Sequence, residues 1–278
     1  MTVCIPLLAA AATGLDLSLP ADNCEAFLRT RCSLDCTEVF FHWRGDIYSI
    51  VPGEPSELLF LGEGFNVARL EPVENGYMML SREVFLYRDP DTGEILDSWE
   101  NPFTGETVRV VHVLNDPVNS VIPRTLGDRG FSVPCTILED GTVAWDLDIL
   151  LFYPSPLPRD SFPLYSGSDM YQGCEMFQFF TTLDALEDTS SASVPCHISW
   201  TRAGPWLPWM RMADRPGWLL YHCTGGKIAS WEAMPPEIRQ WVESGHPEFA
   251  HAPSEYTRPN STSWSYFREL LESGELER

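Results

Sequence analysis

Lysine is almost missing from this chain: Lys227 is the only one in 278 residues. Arginine carries nearly all the positive charge, and 40 acidic residues against 18 basic ones leave a formal net charge of −22. A chain this acidic has no basic patch to displace counterions, which argues against nucleic acid as a partner. The same deficit argues against an anionic membrane surface. No apolar run is long enough to span a bilayer. The opening stretch, MTVCIPLLAAAATGLDLSLP, lacks the basic residues that precede the apolar core of a signal peptide. Residues 1–30 are therefore expected to form an N-terminal arm, mobile or helical, on a cytoplasmic protein.

Familiar catalytic signatures are absent as well. There is no P-loop, no GxGxxG after a strand, no GxSxG elbow and no HExxH. That removes the usual grounds for ATP, dinucleotide or serine-hydrolase chemistry. The eight cysteines include no CxxC pair; Cys32 and Cys36 are the closest, and nothing joins them into a zinc set. Several lie in apolar runs, where a reduced cysteine packs as a small hydrophobe. Cys196-His197, His222-Cys223, His42 and His112 remain as conceivable metal ligands. Neighbours on a strand point to opposite faces, so each His–Cys pair offers one ligand inward. The expectation is no metal and no cofactor.

What is present is a rhythm of turns. Asp89-Pro90-Asp91-Thr92-Gly93-Glu94 is echoed twelve residues on by Asn101-Pro102-Phe103-Thr104-Gly105-Glu106. Proline presets the turn, glycine takes a left-handed conformation cheaply, and the leading Asp or Asn caps it. Both stretches read as hairpin loops. Arg44-Gly45-Asp46, Pro52-Gly53-Glu54-Pro55, Glu74-Asn75-Gly76 and Glu139-Asp140-Gly141 read as further turns. The β-rich runs between them include TEVFFHW, DIYSIV, ELLFLG, NVARLEPV, GYMMLSREVFLY, ETVRVVHVL and TVAWDLDILLFY. GCEMFQFFTTL, SVPCHISWT and GWLLYHC continue the series. Closely spaced strands and hairpins predict an all-β, mainly antiparallel meander. The segments near 235–242 and 263–271 read as peripheral C-terminal helices.

The strands are apolar on both faces. A lipocalin-like or related β-barrel with helices packed outside would account for that. A two-sheet sandwich with covered faces is the alternative. Residues 31–278 are expected to form a single domain.

A longer constellation of residues is more specific than any of these patterns. It begins with Trp43-Arg44-Gly45, Tyr48, Pro52-Gly53-Glu54 and Glu63-Gly64-x-Asn66. It continues through Tyr87-Arg88-Asp89-Pro90, the twin turns, and His112-Val113-x-Asn115-Asp116-Pro117-Val118. It closes with Ser199-Trp200-x-Arg202, Trp206-x-Pro208-Trp209-Met210 and Asn260-x-Thr262-Ser263-Trp264-x-x-Phe267. From about residue 30 to the end, the chain resembles the domain-of-unknown-function family number 1838. The resemblance implies no activity, since that family has none assigned. It does imply relatives in bacteria and fungi, some in natural-product gene clusters.

Candidate catalytic residues come from polar side chains on apolar strand faces. His112 is either an acid–base group aimed into a lumen or a packed core imidazole. Asp116 could orient its ring, or merely open a turn with Pro117. Glu83 shares a face with Tyr77, Phe85 and Tyr87; a carboxyl there has a raised pKa, unless an arginine pairs with it. Asp146 and Asp148 share a face, most simply toward solvent. Arg202 could polarise a carbonyl. Trp43, Tyr48, Tyr87, Trp145, Trp200, Trp206, Trp209, Met210 and Tyr221 are candidate substrate-binding walls, or a plug of the barrel end.

Together these predict a cofactor-free enzyme of secondary metabolism. It would bind an apolar small molecule, a terpenoid or polyketide, in an aromatic-lined pocket and catalyse cyclisation or isomerisation, pericyclic chemistry included. The alternative is a lipocalin-like carrier or sensor without catalysis. A metal-dependent oxygenase is the third.

Overall fold

The computed structural model describes residues 14–276. Helix α1 (Pro20–Arg31) comes first, followed by three long strands, β1 (Val39–Ile50), β2 (Glu57–Val73) and β3 (Gly76–Arg88). Short strands follow: β4 (Ser98–Glu100), β5 (Thr107–Arg109), β6 (Val113–Asn115), β7 (Ser120–Pro123), β8 (Thr125–Leu126), β9 (Arg129–Gly130) and β10 (Cys135–Ile137). Long strands return as β11 (Thr142–Pro154), β12 (Met170–Thr182), β13 (His197–Gly204) and β14 (Trp218–Ile228). Helix α2 (Leu183–Glu187) lies between β12 and β13; α3 (Pro236–Gly245) and α4 (Ser263–Ser273) close the chain.

Ten strands make one antiparallel sheet in the order β10-β11-β12-β13-β14-β1-β2-β3-β6, with β7 also on β3. The all-β architecture with C-terminal helices is as expected, but the sheet does not close into a barrel. Its ends are three-residue strands beside prolines: Pro134 precedes β10, and Pro117 follows β6. Proline offers no N–H to a ladder, so such edges stop pairing. Helix α1 packs on the inner face, where it sets Phe27 against Trp145 and Phe179.

The double-sided apolarity now has a cause. One hydrophobic cluster lies on the inner face and takes in Phe27, Trp145, Trp200, Tyr221 and Trp264. A second lies on the outer face, where Phe40, Phe65, Val84 and Leu86 meet Ile238 and Val242 of α3. The lone lysine ties the layers: Lys227 donates to the Arg29 and Cys32 carbonyls at the end of α1, at 3.0 and 3.2 Å.

The twin turns are built alike. Gly93 and Gly105 have φ of 74° and 75°. Asp89 Oδ1 accepts the Asp91 and Thr92 N–H groups, and Asn101 Oδ1 accepts that of Phe103. Two expectations of local structure fail. Arg44-Gly45-Asp46 is no turn, because β1 runs straight through it. A Cβ on Gly45 would stand 2.0 Å from the His222 carbonyl oxygen, so this glycine serves close strand approach. Residues 107–115 do not form one strand either. Val110 bonds to Asp97, off the main sheet, and the chain rejoins it only at Val113. His112 therefore sits at the break. Among the described residues no helix is long and apolar enough to cross a membrane.

Candidate functional site

The inner face holds a cavity of ≈340 Å³. Strand register assembles its polar wall. Glu175 of β12 faces Arg202 of β13, which faces Tyr221 of β14. On the opposite wall Glu83 of β3 faces Asn115 of β6. Phe85, Val113, Leu151, Trp200 and Leu207 supply the apolar lining, and residues 260–264 form a roof leading into α4. The roof is pinned by paired Asn119–Asn260 hydrogen bonds, both 2.8 Å.

Glycine makes room for this arrangement. Gly62 and Gly64 flank Glu63 on β2, and a Cβ on either would strike the Phe85 ring, at 2.2 and 2.6 Å. The ring thus settles flush against the sheet, edge-on to Tyr87 and Trp200 at 5.6 and 5.8 Å.

Arg202 is the resident cation. Its Nη2 donates to the Tyr171 hydroxyl at 2.7 Å, and its Nε faces Glu175 at 3.5 Å. The guanidinium also lies 4.9 Å over the Tyr221 ring. The hydroxyls of Tyr87 and Tyr221 meet at 3.3 Å. Burial pushes both phenols up, so both stay protonated donors.

The carboxyl groups differ in their debts to solvent. Burial raises Glu175, with Arg202 pulling it back. Burial and the Glu175 charge together push Glu83 up to about 7, against the Asn115 amide and the Arg202 and Arg31 cations. The Asn115 amide donates to Glu83 at 3.2 Å, leaving its buried Oδ1 without a protein partner. The cavity therefore presents a carboxyl poised near neutrality, an unpaired acceptor beside it, and hydroxyl and guanidinium donors across from it.

Of the residues singled out in the sequence, Glu83, Arg202, Tyr87, Trp200 and Tyr221 converge on this cavity. Trp43 stands behind Trp200, ring centres 6.2 Å apart. Trp209 backs Tyr87 at 5.5 Å, and Met210 lies fully buried beside it on the same 3-10 turn. Trp206 lines a neighbouring hollow of ≈130 Å³, which shares Tyr171 and Trp264 with the main cavity. Trp145 is buried against Phe27, away from the lining. Tyr48 donates to Asp46 on the outer face at 3.0 Å. Asp146 accepts from Gln178 there at 3.0 Å.

His112 and Asp116 are not in the cavity lining, and they do not pair. His112 Nδ1 accepts the Tyr87 backbone N–H at 3.2 Å, and its ring meets Trp241 edge-on. Burial lowers its pKa to about 4, so it is a neutral acceptor. Asp116 instead binds Arg82 and Arg258 at 2.9 and 3.0 Å. Among the described residues no three histidine, cysteine or acidic side chains converge as a metal set.

Sequence reasoning missed Glu175, Tyr171, Tyr153 and Asn115 as site residues. A signal for the first existed. Tyr171, Gly173, Glu175, Phe177 and Phe179 alternate onto one face, with a single charge among aromatics, the same pattern that marked Glu83. The roof at 260–264 showed no such alternation, because it enters the cavity from a loop and the first turn of α4.

The sequence profile of one family, described as "Protein of unknown function (DUF1838)", matches residues 36–271. No curated protein matches the chain.

Proposed function

The chain belongs to the DUF1838 family, and from its cavity we propose that it is a cofactor-free enzyme moving protons on an apolar small molecule that bears a carbonyl. One observation carries this reading: a Glu83 carboxyl held near pKa 7 in an aromatic cavity, facing an Arg202–Glu175 pair. A group half protonated at neutral pH can give a proton at one atom and take one from another. The sum is an isomerisation or cyclisation, redox neutral and complete without a cofactor.

Arg202 and the Tyr87 and Tyr221 hydroxyls are placed to polarise the carbonyl and hold charge that develops on its oxygen. The Phe85, Trp200 and Trp264 rings would press a flexible chain into a reactive fold, which also serves pericyclic closure. Terpenoids and polyketides, the substrates of secondary metabolism, combine such carbonyls with apolar skeletons. The free thiols among the described residues favour a reducing compartment, the cytoplasm. A carrier would use the same cavity but has no need of a carboxyl poised to exchange its proton.

Native mass spectrometry of the purified protein would identify the co-purified ligand, which is then offered back to enzyme and variants. The wild type is expected to convert it to a product of equal mass. Glu83→Gln is expected to bind it and turn over about 10²- to 10⁴-fold more slowly. Equal turnover by Glu83→Gln would remove the acid–base role. Binding without any conversion by the wild type would assign the cavity to a carrier.

A further inference from the structure

The outer face of the sheet is covered by α3 only over β1–β3. Across β11–β14 the described residues of that outer cluster reach only the Ile228 end of β14, and large apolar side chains elsewhere on the face stand exposed. Register places Leu150, Cys174, Ala203, Leu220, Tyr48 and Leu58 in one row across six strands. Cross-strand partners share a face, so this row is a continuous apolar band. Phe152 and Trp218 flank it toward one end of the strands, and Met176 toward the other. Leu150 is 78% exposed, Phe152 69%, Met176 46%, Trp218 41% and Leu58 40%. Charge returns only one row further on, with Asp148 and Asp46.

The band has relief. Gly173, Cys174, Ala203 and Gly204 floor a hollow of ≈660 Å³ between the Leu150–Phe152 ridge and Trp218. We propose that this face is the interface of a two-fold homodimer, in which each copy's Leu150–Phe152 ridge enters the other's hollow. A patch with both ridge and hollow complements itself, as isologous contact requires.

Area favours a second copy. The five exposed side chains present roughly 550 Å² if a large side chain offers about 200 Å². With the half-buried members of the row, that approaches the ~800 Å² per partner of a standard interface. It lies at the upper end of the apolar patches that monomers expose. The net charge of −22 opposes association of two copies, and this face, whose central row carries no charged side chain, is where that repulsion is least concentrated.

Light scattering coupled to size exclusion, over a micromolar concentration series, tests the proposal. The wild type is expected at twice 31.4 kDa. Leu150→Glu with Phe152→Glu should weaken association about 100-fold or more, since an unpaired charge would be buried. Leu126→Glu, an exposed apolar residue of β8, should leave the dimer intact. Far-UV circular dichroism checks the fold of each variant. If the double substitution disturbs it, Met176→Glu gives the same readout from β12. A monomeric wild type overturns the proposal, as does a dimer indifferent to substitutions in the band. A monomer that co-sediments with phosphatidylcholine vesicles through these residues also overturns it, giving the face to lipid.

Discussion

Two glutamates on opposite faces of one sheet have opposite fates. Glu63, on the outer face, lies 2.8 Å from both His42 and Arg88. Burial would raise its pKa, but the His42 hydrogen bond and the Arg88 charge outweigh that and lower it. Arg88 reaches on to Glu237 of α3 at 2.8 Å, so this chain of charges fastens a helix to the sheet. Glu83, on the inner face, is buried with a like charge nearby and only an amide in hydrogen-bond contact, and its pKa rises. Where charge serves stability the fold neutralises it; where Glu83 stands the fold leaves it under-compensated. Strain of that kind concentrates at functional sites.

The largest expected effect breaks the inner arrangement. Arg202→Met leaves Glu175 buried without its cation, which costs about 3–5 kcal/mol. Combining it with Glu175→Met should recover most of the loss, because both charges then vanish together. Urea unfolding of the three variants measures this. A single-mutant cost below about 1 kcal/mol would place the pair in contact with solvent.

Next in size is a pH effect that separates the two glutamates. Glu83 titrates near 4.5 when unfolded and near 7 when folded. Between those values the native state binds the extra proton, so Glu83 favours folding at low pH and loses that contribution as pH rises from 4.5 to 7. The loss amounts to about 3 kcal/mol. Glu63, lowered on folding, contributes above 4.5 and loses its share only as pH falls below that value. Glu83→Gln should therefore gain stability over the wild type between pH 5 and 8. Glu63→Gln should lose its deficit only in acid. Unfolding midpoints at pH 3, 5 and 8 would show both, and a flat Glu83→Gln difference would refute its raised pKa.

A steric prediction sharpens the same contrast. Gly62→Ala drives a methyl into the Phe85 ring and, through it, narrows the cavity. Overpacking of this kind costs about 1–3 kcal/mol. Ligand affinity should fall with it, as titration calorimetry with the co-purified molecule would measure. Unchanged affinity would mean that Phe85 does not shape the site.

Much of this was legible in the residues. Turn chemistry at Gly93 and Gly105 is local, so the hairpins could be read directly. Alternation exposed Glu83 for the same reason. Sheet closure was not legible, because it depends on whether β10 and β6, the two ends of the strand order, meet. Gly45 misled, since a glycine for close strand approach and one for a turn look the same in a sequence. The Glu175–Arg202–Tyr221 row depends on register across three strands, which alternation within one strand does not set.

The smallest effect concerns His112, the histidine that the sequence put forward and the fold sets at the sheet's edge. It accepts the Tyr87 N–H from outside the cavity and carries no charge at neutral pH. Its pKa falls from 6.5 to about 4 on folding, so the native state resists a proton that the unfolded chain accepts. Its contribution is full above pH 6.5 and is lost as pH falls toward 4. His112→Ala should cost about 1 kcal/mol at pH 7, the worth of one hydrogen bond. The deficit should shrink and then reverse in acid, where only the wild type has a buried imidazole to charge. Turnover of the co-purified ligand should stay within a few-fold of wild type, while Glu83→Gln nearly abolishes it. If His112→Ala instead lowers turnover 10²-fold with stability intact, the imidazole acts in the chemistry. The boundary between site and scaffold would then have to move outward to include the edge of β3.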